Sequence, residues 1–293
     1  MMLHAAPSQA GKAKLSLLSA MLIFGTIGLF VRYIPLPSSL IALSRGCIGT
    51  LFILLFLAVK RMPISWPAVR QNIVYLILCG IFIGFNWIFL FEAYRYTSVA
   101  IATLCYYMAP IIVILASPIV LHERLTLRKA CCVACALIGM ILVSGIGQQT
   151  ETADFTGLFF GLGAAVLYAS IIILNKKLSP IAAYDKTLMQ LGIASLVLLP
   201  YVLATEDVAS VVLPPLGLVL LFILGIIHTG FAYTLYFGSL SFLRGQTIAL
   251  FSYLDPIFAI FLSAVILHEP LTGPGLLGAV LVLGSTCFSE WKS

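Results

Sequence analysis

The chain has 293 residues, of which 62% are hydrophobic and only 9% charged. A soluble domain is near half apolar and a quarter charged, so too little polar sequence is present to cover a water-facing surface. The net charge of +6 comes from bases scattered between apolar runs, which argues against a nucleic-acid partner.

A membrane-spanning helix needs roughly 20 mostly apolar residues. Ten such runs are predicted, at about 15–33, 38–59, 71–93, 97–119, 127–147, 156–177, 185–203, 215–239, 245–267 and 272–290. Lys12 and Lys14 precede the first run as in a signal peptide. The run Leu15–Val31 is long and lacks a small-residue cleavage pattern, so a retained helix is expected behind a tail at 1–14. Pro35, Pro37, Pro63, Pro67, Pro214 and Pro215 punctuate short connections. The seven cysteines fall inside apolar runs and read as small apolar residues. Cys132-Val133-Ala134-Cys135 has redox spacing but sits within a predicted helix, so neither metal nor cofactor is expected.

One stretch occurs twice, half a chain apart. Residues 121–126 read Leu-His-Glu-Arg-Leu-Thr and residues 267–272 read Leu-His-Glu-Pro-Leu-Thr. The same offset relates Tyr107 to Tyr253 and Pro110 to Pro256. The chain therefore divides into a first five-helix repeat at 15–147, a polar linker at 148–155 and a second repeat at 156–293. With the N-terminus in the cytoplasm, one side collects Lys12, Lys14, Lys60, Arg61, Arg70, Arg124, Arg128, Lys129, Lys176, Lys177, Lys186, Arg244 and Lys292. The other side collects Arg32 and Arg95, and Arg45 falls inside a span. This bias supports ten spans with both termini cytoplasmic. An odd number of helices per repeat turns the second copy upside down relative to the first. Inverted repeats of this kind let two half-structures exchange inward-open and outward-open shapes.

The segments Tyr96-Thr97-Ser98-Val99-Ala100, Met108-Ala109-Pro110 and His122-Glu123-Arg124-Leu125-Thr126, with Asp255-Pro256 and His268-Glu269-Pro270-Leu271-Thr272, resemble the drug/metabolite transporter superfamily, EamA family. The resemblance covers essentially the whole chain. It implies an all-α integral membrane fold of ten transmembrane helices in two inverted five-helix repeats, and transport of a small metabolite. It also implies a pathway lined mainly by helices one, three, four, six, eight and nine. The first-helix glutamate of the family's four-helix relatives has no counterpart among Phe24, Gly25, Thr26 and Gly28.

Candidate site residues lie in the middle of the spans. Asp255 is the most costly, because an ionised side chain there costs on the order of 3 kcal/mol or more. Its repeat partner is Ala109, so the fold does not require the acid. A substrate counter-ion or proton site competes with a neutral, hydrogen-bonded acid. His228, with Thr229, Tyr233 and Tyr236 on the same helix, lies at similar depth and is a candidate proton holder beside Asp255; a packing histidine is the alternative. Asn86, Trp87, Thr103, Tyr106, Tyr107, Tyr168 and Tyr253 are candidate lining residues, each individually consistent with ordinary packing. Pro110 and Pro256 are candidate hinges or simple kinks. Arg45 and Glu92 are expected to form a compensating ion pair. The His-Glu motifs lack the second histidine of a zinc protease and read as helix ends at the interface, with Thr126 and Thr272 capping the next helix.

The resulting expectation is a secondary transporter and not an enzyme. It would export a small amphipathic metabolite, such as an amino acid or organic cation, across the cytoplasmic membrane by alternating access. The lipid bilayer is its partner, protons are the candidate coupling ion, and a monomer is expected. Two other classes compete: a membrane enzyme or flippase component acting on a lipid-linked substrate, and a non-transporting membrane partner or sensor.

Overall fold

The computed structural model describes residues 7–97, 102, 105–144, 155–208, 212–266 and 273–290. The described residues form helices joined by turns and short irregular connections, with no strand among them. Six helices are long and apolar enough to cross a membrane: Gln9–Val31, Ser38–Val59, Trp66–Tyr96, Phe155–Lys176, Ala183–Thr205 and Pro215–Leu240. Ala109–Leu121 and Gly273–Ser285 are shorter apolar helices. With Leu127–Ser144 as span five, and Gly245–Phe251 followed by Leu254–Ile266 as span nine, these account for the ten runs in order. Large apolar side chains such as Leu55, Phe159 and Leu196 stay exposed, which suits a surface solvated by lipid tails.

Helix ends follow the local chemistry. Pro37 precedes span two in extended geometry, as a residue that cannot donate to the first turn. The span closes through Arg61, which adopts left-handed φ 51°, while the Met62 N–H returns to the Leu57 carbonyl at 2.9 Å. Span four closes similarly at His122, φ 53°, with the Glu123 N–H on the Ser117 carbonyl at 3.2 Å. Thr126 then receives the Lys129 N–H at 3.4 Å and caps span five, as expected for this residue.

The helices sort into two compact units that cut across the sequence repeats. The first comprises 1–88 and 174–243, the second 89–173 and 244–293. Each unit thus draws on both halves of the chain. Within the first, span two packs against spans seven and eight. Gly49 sits against the backbone of Gly225 and Gly230, where an added Cβ would come within 3.0 Å of both. Gly80 and Gly84 of span three bring Ile193 and Val197 of span seven equally close. Two–eight and three–seven are the two contacts that a pseudo-two-fold between repeats interchanges. Ile34, Ile41, Leu221 and Leu224 form an apolar cluster in this unit. Within the second unit, span five packs along span ten, and Ala136, Met140, Tyr253, Ile257 and Val282 form a buried cluster.

Candidate functional site

Spans four and nine are both broken helices. Span four is interrupted at Tyr107 and Met108 and restarts as Ala109–Ala116. Span nine is interrupted at Ser252 and Tyr253 and restarts as Leu254–Ile266. Pro110 and Pro256 stand in the first turns of the restarted segments, where a missing N–H leaves no helical bond unmade. The repeat-related prolines therefore begin second half-helices and do not kink continuous ones.

The two breaks are joined inside the second unit. Tyr107 donates its hydroxyl to the Asp255 carboxylate at 3.0 Å. Tyr253 returns its hydroxyl to the Tyr107 backbone carbonyl at 3.1 Å. Ser252 donates to the Ile248 carbonyl at 3.0 Å, so its single proton is committed and the Tyr168 hydroxyl is the donor in their 3.3 Å contact. The Tyr106 and Tyr168 rings stack with centroids 5.4 Å apart and planes 12° from parallel. Four candidate tyrosines and Asp255 thus share one cluster, drawn from spans four, six and nine. Tyr253 is 1% exposed and packed in the apolar core, so its ring supports the break, while Tyr106, Tyr107, Tyr168 and Asp255 are half-buried.

His228, Asn86 and Trp87 belong to the first unit. His228 lies in a π-helical stretch, Leu224–Phe231, of span eight. Single π segments inside α-helices often mark functional positions. Here Gly225 and Gly230 admit span two so closely that a Cβ on either would stand within 2.5 Å of Ile48 or Phe52. The His228 Nε2 is 2.7 Å from the Thr26 hydroxyl, at the break between Pro7–Gly25 and Ile27–Val31 of span one. Its Nδ1 is 3.4 Å from the Ile223 carbonyl, and Phe30 packs edge-on against the ring. Within its own unit each of the two candidates has a hydroxyl partner: Thr26 for His228 and Tyr107 for Asp255.

Arg45 and Glu92, expected to pair, also have other neighbours. The Arg45 guanidinium stands over the Trp87 ring, 5.2 Å from its centroid, and its Nε is buried without a hydrogen bond. Glu92 binds Arg95 one turn along the same helix at 3.0 Å. Trp87 meets Tyr233 edge-on, which in turn meets Phe24, so an aromatic chain runs from span three through span eight to span one. Asn86 is 2% exposed beside it.

One acid has a role the sequence did not indicate. Glu123 stands at the end of span four, as expected, but is only 5% exposed. The left-handed turn at His122 sends it inward, where its carboxylate accepts the N–H groups of Gly245 at 2.9 Å and Gln246 at 3.4 Å. It therefore caps the N-terminus of span nine with a negative charge, the sign that terminus favours. The duplication of His-Glu was the available signal. Thr103, His268, Glu269 and Thr272 lie outside the described residues.

Comparison with known proteins gives the family and the fold. The model of the EamA-like transporter family matches residues 11–145 and again 155–290. An uncharacterized transporter of Bacillus subtilis (strain 168), YxxF, is 31% identical over 261 residues, spanning 88% of this chain and 82% of its own. An uncharacterized transporter of Archaeoglobus fulgidus is 28% identical, covering 94% of each chain. A solved crystal structure superposes with a TM-score of 0.81 over 96% of this chain and 97% of its own, at 19% identity, and so shares the fold. The chain belongs to the EamA-like transporter family: a multi-pass membrane transporter of two inverted five-helix repeats.

Proposed function

We propose that this member of the family is a secondary transporter that exports a small amphipathic metabolite carrying a positive amine, an amino acid or organic cation, by alternating access. The observation that carries the reading is the Tyr107–Asp255 bond between two broken spans, set among stacked tyrosines. An ammonium group matches the Asp255 carboxylate, and the faces of Tyr106 and Tyr168 suit a cation or flat apolar body. A substrate amine that takes Asp255 competes with the Tyr107 hydroxyl. Loss of that bond weakens the link between spans four and nine, so the ligand distinguishes two arrangements of the half-helices, as any ligand-driven transition requires. Pro110 and Pro256 at the restarts are the hinge positions.

His228 supplies a route for protons. The Thr26 hydroxyl donates to the Ile23 carbonyl at 2.7 Å, so its oxygen is left to accept from Nε2. The Ile223 carbonyl can only accept from Nδ1. A doubly protonated ring satisfies both contacts, whereas a neutral ring satisfies one. Proton gain and loss therefore alter the contact between spans one and eight. The charge bias of the loops supports cytoplasmic termini, and in this reading the chain works as a monomer in the cytoplasmic membrane.

The test is flux in liposomes containing this chain alone. Amine-bearing aromatic solutes should be carried, with the rate falling at least tenfold in Asp255→Asn at equal incorporation. Flux of amines that is indifferent to this substitution would remove Asp255 from the mechanism, and no flux of any amine would remove the substrate class.

A further inference from the structure

Spans five and ten touch near their middles, where a Cβ added to Gly139 would stand 2.7 Å from the Gly278 carbonyl oxygen. Toward the end that carries Arg124, Arg128 and Lys129 the contact opens. A Cβ added to Gly284 meets nothing within 4 Å. The opening is a groove of about 620 Å³, lined by Cys131, Cys135, Val280, Gly284 and Phe288 together with Arg128. That size falls within the roughly 300–1,000 Å³ of small-molecule sites. Both helices belong to the second unit, and neither contributes to the Tyr107–Asp255 bond.

The groove is apolar along its length and cationic at one end. Cys131, Cys135 and Phe288 are exposed, as befits a surface that meets lipid. Arg128 is held in place: its guanidinium lies over the Phe288 ring, 4.7 Å from the centroid, and donates to the Phe288 carbonyl. A guanidinium is a planar fork of five N–H groups that matches phosphate geometry. Among the described residues that line the groove, none is an acid.

The geometry points to a binding site for an anionic phospholipid, with one acyl chain along the Cys131–Cys135 and Val280–Gly284 faces and its phosphate at Arg128. The combination of apolar trough and terminal guanidinium carries this assignment. A neutral trough would accept any tail, and a lone surface arginine would hold no chain. Basic sites between helices on the charge-rich side of a membrane protein are suited to acidic headgroups.

The test is native mass spectrometry of the full chain equilibrated in detergent with phosphatidylglycerol and phosphatidylcholine of identical chains. The chain should retain phosphatidylglycerol at least tenfold over phosphatidylcholine. Arg128→Gln should abolish that preference, and Arg128→Lys should keep part of it. Gly284→Leu, placed where a side chain meets open space, should cut retention of both lipids at least fivefold. Equal retention of the two lipids, or a preference that survives both Arg128→Gln and Gly284→Leu, overturns the assignment. So does displacement by water-soluble glycerol phosphate, which would mark a phosphate site without a lipid. A dimer that becomes monomeric in Gly284→Leu would assign the groove to a second copy of the chain instead.

Discussion

Lys186, 1% exposed, aims its ammonium at the Phe237 carbonyl oxygen 2.5 Å away and reaches the Ser241 hydroxyl at 3.3 Å. A cation on the last turn of span eight complements the partial negative charge gathered there. Lys176 donates to the Leu243 carbonyl just beyond. Lys186→Met leaves the Phe237 carbonyl without this partner, and unfolding in detergent should show a loss of about 1–3 kcal/mol. Lys177→Met, which leaves both of these bonds in place, is the control and should change little.

Glu123 satisfies two buried backbone N–H groups at once. Glu123→Ala abandons both, and a loss of about 1–3 kcal/mol is expected. Glu123→Gln keeps an acceptor without the charge and should fall between. Thermal unfolding of the three proteins in one detergent checks the order; a Glu123→Ala midpoint equal to the parent would contradict the cap.

Tyr107 and Asp255 should separate stability from transport. Asp255→Asn retains an acceptor for the Tyr107 hydroxyl, so its unfolding midpoint should stay near the parent while amine flux collapses. Tyr107→Phe removes the donor and leaves the acid in place, at about 1–3 kcal/mol. Substrate affinity in Tyr107→Phe should rise or hold, because the competing hydroxyl is gone. Ligand-dependent thermal shifts on both variants read the difference.

Two glycines make opposite predictions. A Cβ on Gly225 would lie 2.4 Å from the Ile48 side chain, so Gly225→Ala overpacks the contact of spans two and eight at about 1–3 kcal/mol. Gly28 lies in a helix with nothing within 4 Å of an added Cβ, and Gly28→Ala should be neutral or stabilising by up to about 1 kcal/mol. Equal midpoints for the two would contradict the close approach of spans two and eight.

Much of the architecture was legible because lipid imposes a simple code. Apolar length located the spans, and the half-chain offset paired Tyr107 with Tyr253 and Pro110 with Pro256, although the sequence suggested bends at the prolines and not breaks just before them. What the sequence concealed were bonds between residues far apart in the chain. Nothing local to Asp255 indicates that Tyr107 is its donor, and Thr26 reads as an ordinary small residue until His228 is beside it. Charge revealed position but not partner. Lys186 and Glu123 stand at helix ends, yet both are buried and cap other helices, because a broken or tightly joined helix end is itself a charged partner that no side-chain inventory displays. For Arg45 and Glu92 the sequence offered each other as partners and gave no sign of the Trp87 ring beneath Arg45 or of Arg95 one turn along from Glu92.

The mixing of both half-chains in each unit sets a timetable for biogenesis. The acid that caps span nine precedes its target by 122 residues. At about 5–20 residues per second of synthesis, Glu123 emerges roughly 6–24 s before Gly245 exists. During that interval the Glu123 carboxylate lacks the span-nine N–H groups it will cap, which water at the membrane surface or the insertion machinery can replace. Neither half of the protein is therefore a finished intermediate. A chain cut at the linker should leave each fragment a target for quality control, and only synthesis of both pieces together should restore a protected, assembled carrier.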